Sequence, residues 1–501
     1  MSHGGAQGDR LRFACSRFGA HQEAEMISMT ELCELSAVEL LSLYAARKLS
    51  PVEVIRDVIA RSEAVQPVLN AFCSLDPERA LATAVAAERS WAAGLPTRPL
   101  EGVPVSIKDT AMVKGWRFAR GSRLAEHNPP ATQDSPSVER LRQAGAVLFA
   151  STTTCEGGWK AVTDSPLTGI TRNPHNTDHT PGGSSGGAGA SISAGCGPLA
   201  LGSDGGGSIR VPASFSGVFG FKATFGRVPM YPIGPHYSDM AHFGPMTRTV
   251  ADAGLMFSVI EGRHPLDPFT TDPLPASDFP VTPLPLAGVR IGVTEDFGFM
   301  KVDPEVAQVY RAAIARIEAA GAVLVPLAPM EDWRPTYRTL WQVGAWQSQR
   351  RLTSAERDLL DPEFRGWGDH GAHIPTGDYV DAMMARLAYR QECARLHAAV
   401  DFVISPTVSI LPLKAGLTVP DDNWPDWLEW AGFSLLYNMT GQPASSLPAG
   451  YSSGGLPVGI QIGGRINDDI GVLRLSMTLE GLLAEARPDP AAAFDKAMRK
   501  S

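Results

Sequence analysis

The sequence predicts an α/β fold in which a mixed, mostly parallel central sheet is covered by helices on both faces. Short apolar segments of strand length alternate along the chain with longer helical segments, an order typical of sheets with helices on both sides. At 501 residues, 44% hydrophobic and 19% charged, the chain can also bury a large core. This composition excludes an intrinsically disordered protein, and the length allows either one large core or several domains.

The first predicted elements follow an N-terminal extension. Residues 1–28 show no sustained period and are predicted to be poorly ordered. A capping-box pattern that begins at Ser50 predicts a helix over 51–65. An alanine-rich helix is predicted over 77–94, and the β-branched segment 102–109 is predicted to be a buried strand.

The alternation continues through the rest of the chain. The further predicted elements are a helix over 136–144, a strand over 146–151, a helix over 185–194, a strand over 198–204, a helix over 303–320, and strands over 322–327, 401–407 and 456–464. Glycine or proline ends most of these segments, as expected at element boundaries. The alternation of the two element types is therefore the main support for an α/β fold.

Composition divides the predicted domain into two halves. A proline-rich stretch over 264–287 indicates a crossover rather than disorder, because periodic segments resume on both sides. It separates a glycine-rich half, about 80–262, from a C-terminal half that is expected to complete the sheet and the pocket. Together they form one predicted domain over 29–490, with residues 491–501 as a tail.

Charge and cysteine content exclude several function classes. The formal net charge of −9 gives no basic surface for nucleic acid. The sequence contains no run of 18 or more apolar residues and no visible secretory signal, so no membrane association is expected. The six scattered cysteines form no Cys-x-x-Cys pair, which favours reduced thiols in a cytoplasmic protein.

Three segments of the glycine-rich half carry candidate catalytic residues. GVPVSIKD contains Lys108, PGGSSGGAGA contains Ser184 and Ser185, and LGSDGGGSIR contains Ser208. Each lies at a strand end or in a glycine loop, where side chains leave the sheet and backbone N–H groups are free. A serine hydroxyl is a poor nucleophile at neutral pH and needs a base within reach. Two serine-bearing loops and a strand-end lysine supply such a set.

These segments resemble those of the amidase signature family, which are serine hydrolases with a Ser-cisSer-Lys triad. The similarity continues through RNPHNTDHTPGGSSGG, GPMTRTVADA and NMTGQPASSLPAGYSSGGLPVGIQIGG and covers roughly residues 29–485. The resemblance implies the amidase signature fold, with Lys108 as the base, Ser184 on a cis peptide as the proton relay and Ser208 as the nucleophile. It also implies an enzyme that uses no metal and no cofactor.

The loop before Ser208 predicts an oxyanion hole. Consecutive glycines leave their N–H groups unobstructed, so the predicted donors are the backbone N–H groups of Gly205, Gly206, Gly207 and Ser208. To act as a base, Lys108 must be neutral, which requires a pKa far below the reference value of about 10.4. Burial at the strand end is expected to lower it.

A substrate pocket is predicted beside the triad. In the family, the segment after the strand over 146–151 lines the pocket, and here it supplies Thr154, Cys155, Glu156, Gly157 and Trp159. Phenylalanine is common in the family where this chain has Gly157, so glycine opens space. Trp427 is a further candidate, because Trp424, Trp427 and Trp430 recur every three residues, which fits either core packing or a pocket wall. A roomy apolar pocket favours an aryl amide or a carbamate as substrate.

Three further functions remain compatible with the sequence. The second loop also matches Gly-x-Ser-x-Gly, which would make Ser185 the nucleophile of an α/β-hydrolase-type esterase. That interpretation needs an Asp and then a His downstream, and His370, His373 and His397 are available. The remaining two functions are that of a glutamine-dependent amidotransferase subunit, which delivers ammonia to a partner protein, and that of a catalytically silent binding scaffold.

The main prediction is an amidohydrolase that acts on a small amide through an acyl-serine intermediate. Its predicted partner is the substrate, and the oligomeric state stays open, with a homodimer as the one assembly considered. His175 and His179 have the spacing of helix-borne metal ligands. Because prolines flank them on both sides, the preferred interpretation is a loop in which they are polar surface or turn residues.

Overall fold

The computed structural model describes residues 29–95, 98–232, 239–486 and 489–499. Residues 1–28, predicted to be an extension, lie outside the described residues. Within the described ranges, eleven strands form one sheet and two more form a separate pair. No helix in these ranges is both long enough and apolar enough to cross a bilayer.

The strands are short and numbered in chain order. They are β1 Phe72–Leu75, β2 Pro104–Lys108, β3 Val147–Thr152, β4 Asp164–Ser165, β5 Gly169–Ile170, β6 Leu199–Asp204, β7 Phe219–Lys222, β8 His242–Thr247, β9 Arg290–Val293, β10 Val323–Pro326, β11 Phe402–Pro406, β12 Ala444–Tyr451 and β13 Pro457–Gly463.

The α-helices are numbered in the same way. They are α1 Ala37–Ala45, α2 Pro51–Leu69, α3 Pro77–Ala92, α4 Pro136–Gln143, α5 Gly186–Ser193, α6 Arg210–Ser216, α7 Val250–Ile260, α8 Pro304–Ala319, α9 Arg334–Gln349, α10 Ser354–Arg357, α11 Pro362–Gly371, α12 Thr376–Ala399, α13 Leu428–Thr440, α14 Asp469–Leu482 and α15 Pro490–Arg499.

The large sheet has the strand order β1-β3-β2-β6-β8-β7-β12-β13-β11-β9-β10. Parallel pairs occur in two groups, β3-β2-β6 and β11-β9-β10, and the remaining neighbours are antiparallel. A helix connects parallel neighbours in each group, α4 between β2 and β3 and α8 between β9 and β10, as a parallel crossover requires. The predicted mixed sheet is therefore confirmed, and its parallel order is confined to these two groups.

Helices cover both faces of the sheet. Val105 and Ile107 of β2 join a core cluster that contains residues of α4, α7, α8 and α14. On the opposite face, Ala200 of β6 packs with residues of α5 and α6. Because successive strand residues point to opposite faces, Lys108 leaves β2 on the side covered by α5 and α6. This alternation brings the lysine to the loops that precede these two helices.

Local sequence signals explain most of the element boundaries. Ser50 caps α2 by accepting a hydrogen bond from the Val52 N–H, and Glu53 accepts one from the Ser50 N–H, which completes the predicted capping box. The helix continues to Leu69, beyond the predicted end at residue 65. The other predicted helices and strands begin and end within a few residues of the observed ones.

The C-terminal residues differ from the predicted tail. Residues 490–499 form α15, which packs against α2 and the turn at Met29–Glu34. Ala493 and Ala497 are buried in this contact, and the Arg61 guanidinium lies over the Phe494 ring at 4.4 Å. The apolar face of this helix explains why the domain extends past residue 490.

Candidate active site

Lys108 lies at the C-terminal end of β2 and is completely buried. Its Nζ is 2.7 Å from Ser184 Oγ, 3.0 Å from Ser203 Oγ and 3.4 Å from the Ser203 carbonyl oxygen. These partners are all uncharged. Burial lowers the pKa of Lys108 to about 7, although the nearby Asp204 carboxylate acts in the opposite direction. Lys108 can therefore exist as a neutral amine near neutral pH.

Ser184 lies in the glycine loop that leads into α5. The Gly183–Ser184 peptide bond is cis, as the resemblance implies. The segment 153–158 runs beside this serine, because a Cβ on Gly158 would come within 3.2 Å of Ser184 Oγ. The next residue, Ser185, donates its N–H to the Ser208 carbonyl oxygen at 3.1 Å. This hydrogen bond joins the two serine loops.

Ser208 lies between β6 and α6 and is the most exposed member of the candidate triad. The exposed fractions are 0% for Lys108, 1% for Ser184 and 7% for Ser208. Among the residues that the structure describes, Ser208 Oγ has no hydrogen-bond partner. Of the three side chains, that of Ser208 is therefore the most accessible to a substrate, whereas Lys108 and Ser184 are buried.

A buried ion pair supports the loop that carries Ser208. The Asp204 carboxylate accepts hydrogen bonds from the Gly207 N–H at 2.7 Å, the Ile209 N–H at 3.1 Å and the Arg210 guanidinium at 3.0 Å. Burial opposes the charge on Asp204, but Arg210 outweighs it and holds the pKa of this carboxyl well below its usual range. The glycine loop thus folds around a carboxylate that stays ionised.

The structure corrects the predicted oxyanion hole at one position. The Gly207 N–H is already bound to Asp204, so it cannot serve a substrate. The N–H groups of Gly205, Gly206 and Ser208 have no partner within the described part of the chain. The carbonyl oxygen of Gly205 accepts a hydrogen bond from Tyr337 Oη at 3.0 Å, and that of Gly206 from Ser434 Oγ at 2.7 Å.

A cavity of about 380 Å³ is linked to this loop through Tyr337, although its described lining includes no residue of the loop or of the candidate triad. Its described lining includes Trp159, Trp367 and Trp427, together with Gln342 and His370. The Trp427 ring stands edge-on to Tyr337, with ring centroids 6.3 Å apart, and Tyr337 reaches the Gly205 carbonyl. One aromatic residue therefore separates the cavity wall from the glycine loop.

Only Trp159 and Trp427 of the six predicted pocket residues line this cavity. The other four, Thr154, Cys155, Glu156 and Gly157, are not part of its described lining. The Glu156 carboxylate accepts hydrogen bonds from Ser122 Oγ and from the Asp361 N–H, both at 2.5 Å, and so connects two loops. Gly157 has a left-handed φ of 62°, so its backbone conformation is a second reason for glycine at this position.

The three regularly spaced tryptophans have different environments. Trp427 comes just before α13 and lines the cavity, whereas Trp430 lies within α13 and stacks on Phe215 in the core, with centroids 5.7 Å apart. Trp424 is half-buried, and the Lys301 ammonium lies over its ring. The two interpretations left open by the spacing therefore apply to different members.

Ser185 has a structural role in the described residues. Its Oγ donates to the Ser203 carbonyl oxygen at 3.1 Å and accepts from the Ser203 N–H at 3.3 Å, which ties α5 to β6. This arrangement disfavours Ser185 as a nucleophile. His175 lies in a turn, as predicted, and its Nε2 is 3.1 Å from the Ser216 carbonyl oxygen. No group of three or more potential metal-ligating side chains occurs in the described ranges.

Sequence reasoning missed several residues that contact the candidate triad and its loop. They are Ser203, Tyr337, Ser434 and Asn438. Ser203 lies within LGSDGGGSIR and could have been found from its position beside the loop. The other three lie 132 or more residues from their partners. Asn438 begins the NMTGQ segment that resembles the family, whereas Tyr337 and Ser434 belong to no recognised motif. Spacing along the chain gave no signal for them.

Comparisons with known proteins show which proteins this chain is similar to. A model of the amidase family matches residues 53–473. An acylamidase from Rhodococcus erythropolis is 36% identical over 475 residues, which cover 91% of this chain and 97% of the relative. A glutamyl-tRNA(Gln) amidotransferase subunit from Geobacter metallireducens is 32% identical over 478 residues, which cover 90% of this chain and 97% of the relative.

Solved structures of amide-hydrolysing enzymes are also similar to this chain. A bacterial aryl acylamidase superposes with a TM-score of 0.83 at 28% identity, covering 93% of this chain and 98% of the other. A 6-aminohexanoate cyclic dimer hydrolase superposes with a TM-score of 0.82 at 27% identity, covering 93% of this chain and 99% of the other.

Proposed function

This chain belongs to the amidase family and is an amidohydrolase that acts on carbon–nitrogen bonds, and we propose that it works through an acyl intermediate on Ser208. The buried contact between Lys108 Nζ and Ser184 Oγ carries the proposal. Because burial lowers its pKa to about 7, Lys108 can be present as a neutral amine near neutral pH, and a neutral amine can accept the proton of Ser184.

Acylation then proceeds as a proton relay. Ser208 Oγ forms a bond to the carbonyl carbon and passes its proton to Ser184, whose own proton moves to Lys108. Collapse of the tetrahedral oxyanion breaks the C–N bond, and the relay returns a proton to the leaving amine. Water repeats the sequence on the acyl ester, which releases the acid and restores the Ser208 hydroxyl.

The oxyanion is stabilised by backbone donors of the glycine loop. The unpartnered N–H groups of Gly205 and Gly206, with that of Ser208, are the donors in this proposal. Each well-aimed donor contributes roughly 3 kcal/mol to transition-state stabilisation, because it is fixed in place before charge develops. The predicted fourth donor, Gly207, instead holds the loop to Asp204.

The substrate is proposed to be an aryl amide. The three tryptophans of the cavity offer flat apolar faces to an aromatic ring, beside a polar part of the lining that includes Glu363 and Asp426. Trp427 connects the cavity to the glycine loop through Tyr337. Acylamidase and aryl acylamidase relatives support the same class. Aryl carbamates carry the same ring and a similar carbonyl, so they belong to the same proposed range.

A second candidate is a glutamine-dependent amidotransferase component, favoured by the similarity to a glutamyl-tRNA(Gln) amidotransferase subunit. Such a protein should hydrolyse glutamine and increase its rate when a partner protein is present. The aromatic cavity wall favours the first candidate, because glutamine offers no ring to contact it.

The experiment is a comparison of kcat/KM for an acyl anilide, an aryl carbamate, a short aliphatic amide and glutamine with the purified chain. We expect the anilide to be preferred and Ser208 to be labelled by a fluorophosphonate. Trp427→Leu should raise KM for the anilide but not for the aliphatic amide, whereas Trp424→Leu, outside the described lining, is the matched control. A preference for glutamine would favour the second candidate instead.

A further inference from the structure

Tyr337 connects α9 to the glycine loop of the site. Its Oη donates a hydrogen bond to the Gly205 carbonyl oxygen at 3.0 Å, and the side chain is completely buried. We propose that Tyr337 is a positioning residue, which fixes the direction of the Gly206 N–H as an oxyanion donor. This inference rests on the proposed acyl-serine function and adds a residue that no sequence motif contains.

The proposed role follows from the planarity of the peptide unit. In a trans peptide the C=O of one residue and the N–H of the next lie in one plane and point in opposite directions. A hydrogen bond that holds the Gly205 carbonyl therefore also aims the Gly206 N–H away from Tyr337. That N–H has no partner among the described residues, so the hydrogen bond from Tyr337 is what orients it.

The other peptide units of the loop have different supports. The Gly206–Gly207 unit is held at both ends, by Ser434 Oγ on its carbonyl and by Asp204 on its N–H. The Asp204 carbonyl, which shares a unit with the Gly205 N–H, accepts from Asn438 Nδ2 at 3.1 Å and lies 3.2 Å from His242 Nδ1. The Gly205–Gly206 unit thus depends on Tyr337 more than its neighbours depend on any single side chain.

Close packing leaves little freedom between the two groups. A Cβ on Gly206 would come within 2.2 Å of Tyr337 Oη, so only glycine permits this approach. The Tyr337 ring is held from behind by Trp341, stacked at 5.0 Å, and by the edge-on Trp427. Because the ring is fixed by these contacts, removal of the hydroxyl alone should leave the packing unchanged.

Tyr337→Phe tests the hydrogen bond alone. We expect kcat for the anilide to fall about tenfold to a hundredfold, less than the loss of a complete oxyanion donor costs, while KM changes less than about twofold. The pH midpoint of kcat should stay in place, because the Lys108 contacts are untouched. An aryl trifluoromethyl ketone, whose carbonyl becomes an oxyanion on addition of Ser208, should lose affinity in proportion to kcat/KM.

Tyr310→Phe is the matched control. Tyr310 is also buried, and its Oη donates to a backbone carbonyl, that of Ile404, at 3.2 Å, away from the loop. The Tyr310→Phe variant should keep the wild-type kcat. Ser434→Ala should lose less than Tyr337→Phe, because Asp204 still holds that peptide unit. Equal losses in the two tyrosine variants, or wild-type kcat and ketone affinity in Tyr337→Phe, would overturn the positioning role.

Fluorophosphonate labelling separates this inference from the proposed function. If Ser208 of the wild-type chain is not labelled, the acyl-serine mechanism fails and the role of Tyr337 fails with it. If Ser208 is labelled and Tyr337→Phe is labelled at the wild-type rate, the mechanism stands and only the positioning role is wrong.

Discussion

Lys108 and Lys160 are buried in the same half of the chain, yet their surroundings act on them in opposite ways. Their exposed fractions are 0% and 5%. The Lys160 ammonium contacts Asp164 at 2.7 Å and Asp361 at 3.0 Å; burial opposes its charge, but these carboxylates outweigh it and raise its pKa above the usual range. Lys108 contacts only hydroxyls and a carbonyl, and its pKa falls to about 7.

This difference shows that burial alone does not make a lysine a base. Desolvation disfavours the charged ammonium at both positions. The charge of the hydrogen-bond partners then decides whether the ammonium or the neutral amine is favoured near neutral pH. Lys160 is thereby a structural cation, and Lys108 a group that can exchange a proton near neutral pH. Variants that remove either lysine, or that place a carboxylate beside Lys108, test this comparison directly.

The largest effect is expected at Lys108 and its two serines. Ser208→Ala should abolish turnover, and Lys108→Ala and Ser184→Ala should each lower kcat by about a thousandfold or more, because the proposed mechanism uses the three as one proton relay. Ser185→Ala is the control and should stay within about tenfold of wild type, since its Oγ only bonds the β6 backbone. Steady-state kinetics on folded variants measures this, and a Lys108→Ala variant with near wild-type kcat would contradict it.

Lys160→Met should act on stability rather than on chemistry. It leaves Asp164 and Asp361 without their cation, which costs about 3 kcal/mol or more when charges are buried. Lys108→Met removes no such partner and should destabilise less. Urea unfolding gives both free energies of unfolding, and an equal loss in the two variants would remove the distinction between the sites.

The wild-type pH profile should follow the deprotonation of Lys108. Its lowered pKa means that the neutral amine is the minor form below pH 7 and the major form above it. We therefore expect kcat/KM to rise about tenfold per pH unit below pH 7 and to reach a plateau above about pH 8. A rate that is maximal at pH 5 would contradict a neutral lysine base.

The smallest effect is expected from a substitution at Ser203, which would place a carboxylate beside Lys108 like those beside Lys160. Ser203 Oγ is 3.0 Å from Lys108 Nζ, so Ser203→Asp should raise the pKa of Lys108 by about 1–3 units and move the midpoint of kcat/KM to higher pH. Ser203→Ala, which removes the hydroxyl without adding charge, is the control and should show no alkaline shift. An unchanged midpoint in Ser203→Asp would show that partner charge does not set this pKa.

The sequence by itself determined the alternation of elements and the positions of Lys108, Ser184 and Ser208. Hydrophobic period, caps and glycine loops are local, so they can be recognised within a few residues of the chain. The strand that ends in Lys108 and the loops around the two serines occur where their segments predict them. The resemblance to a family added the roles of these residues, which spacing alone left open against Ser185 as the nucleophile.

Only the tertiary structure decided which groups remain available for chemistry. It assigned the Gly207 N–H to Asp204, aimed the adjacent peptide unit through Tyr337 and packed residues 490–499 as a helix instead of a tail. Lys108 and Lys160 look alike in the sequence, since each follows an apolar or aromatic residue. The pKa of Lys108 is lowered and that of Lys160 is raised, and these shifts depend on partners up to 201 residues away along the chain. Electrostatic energy depends on distance in space and not on separation along the chain.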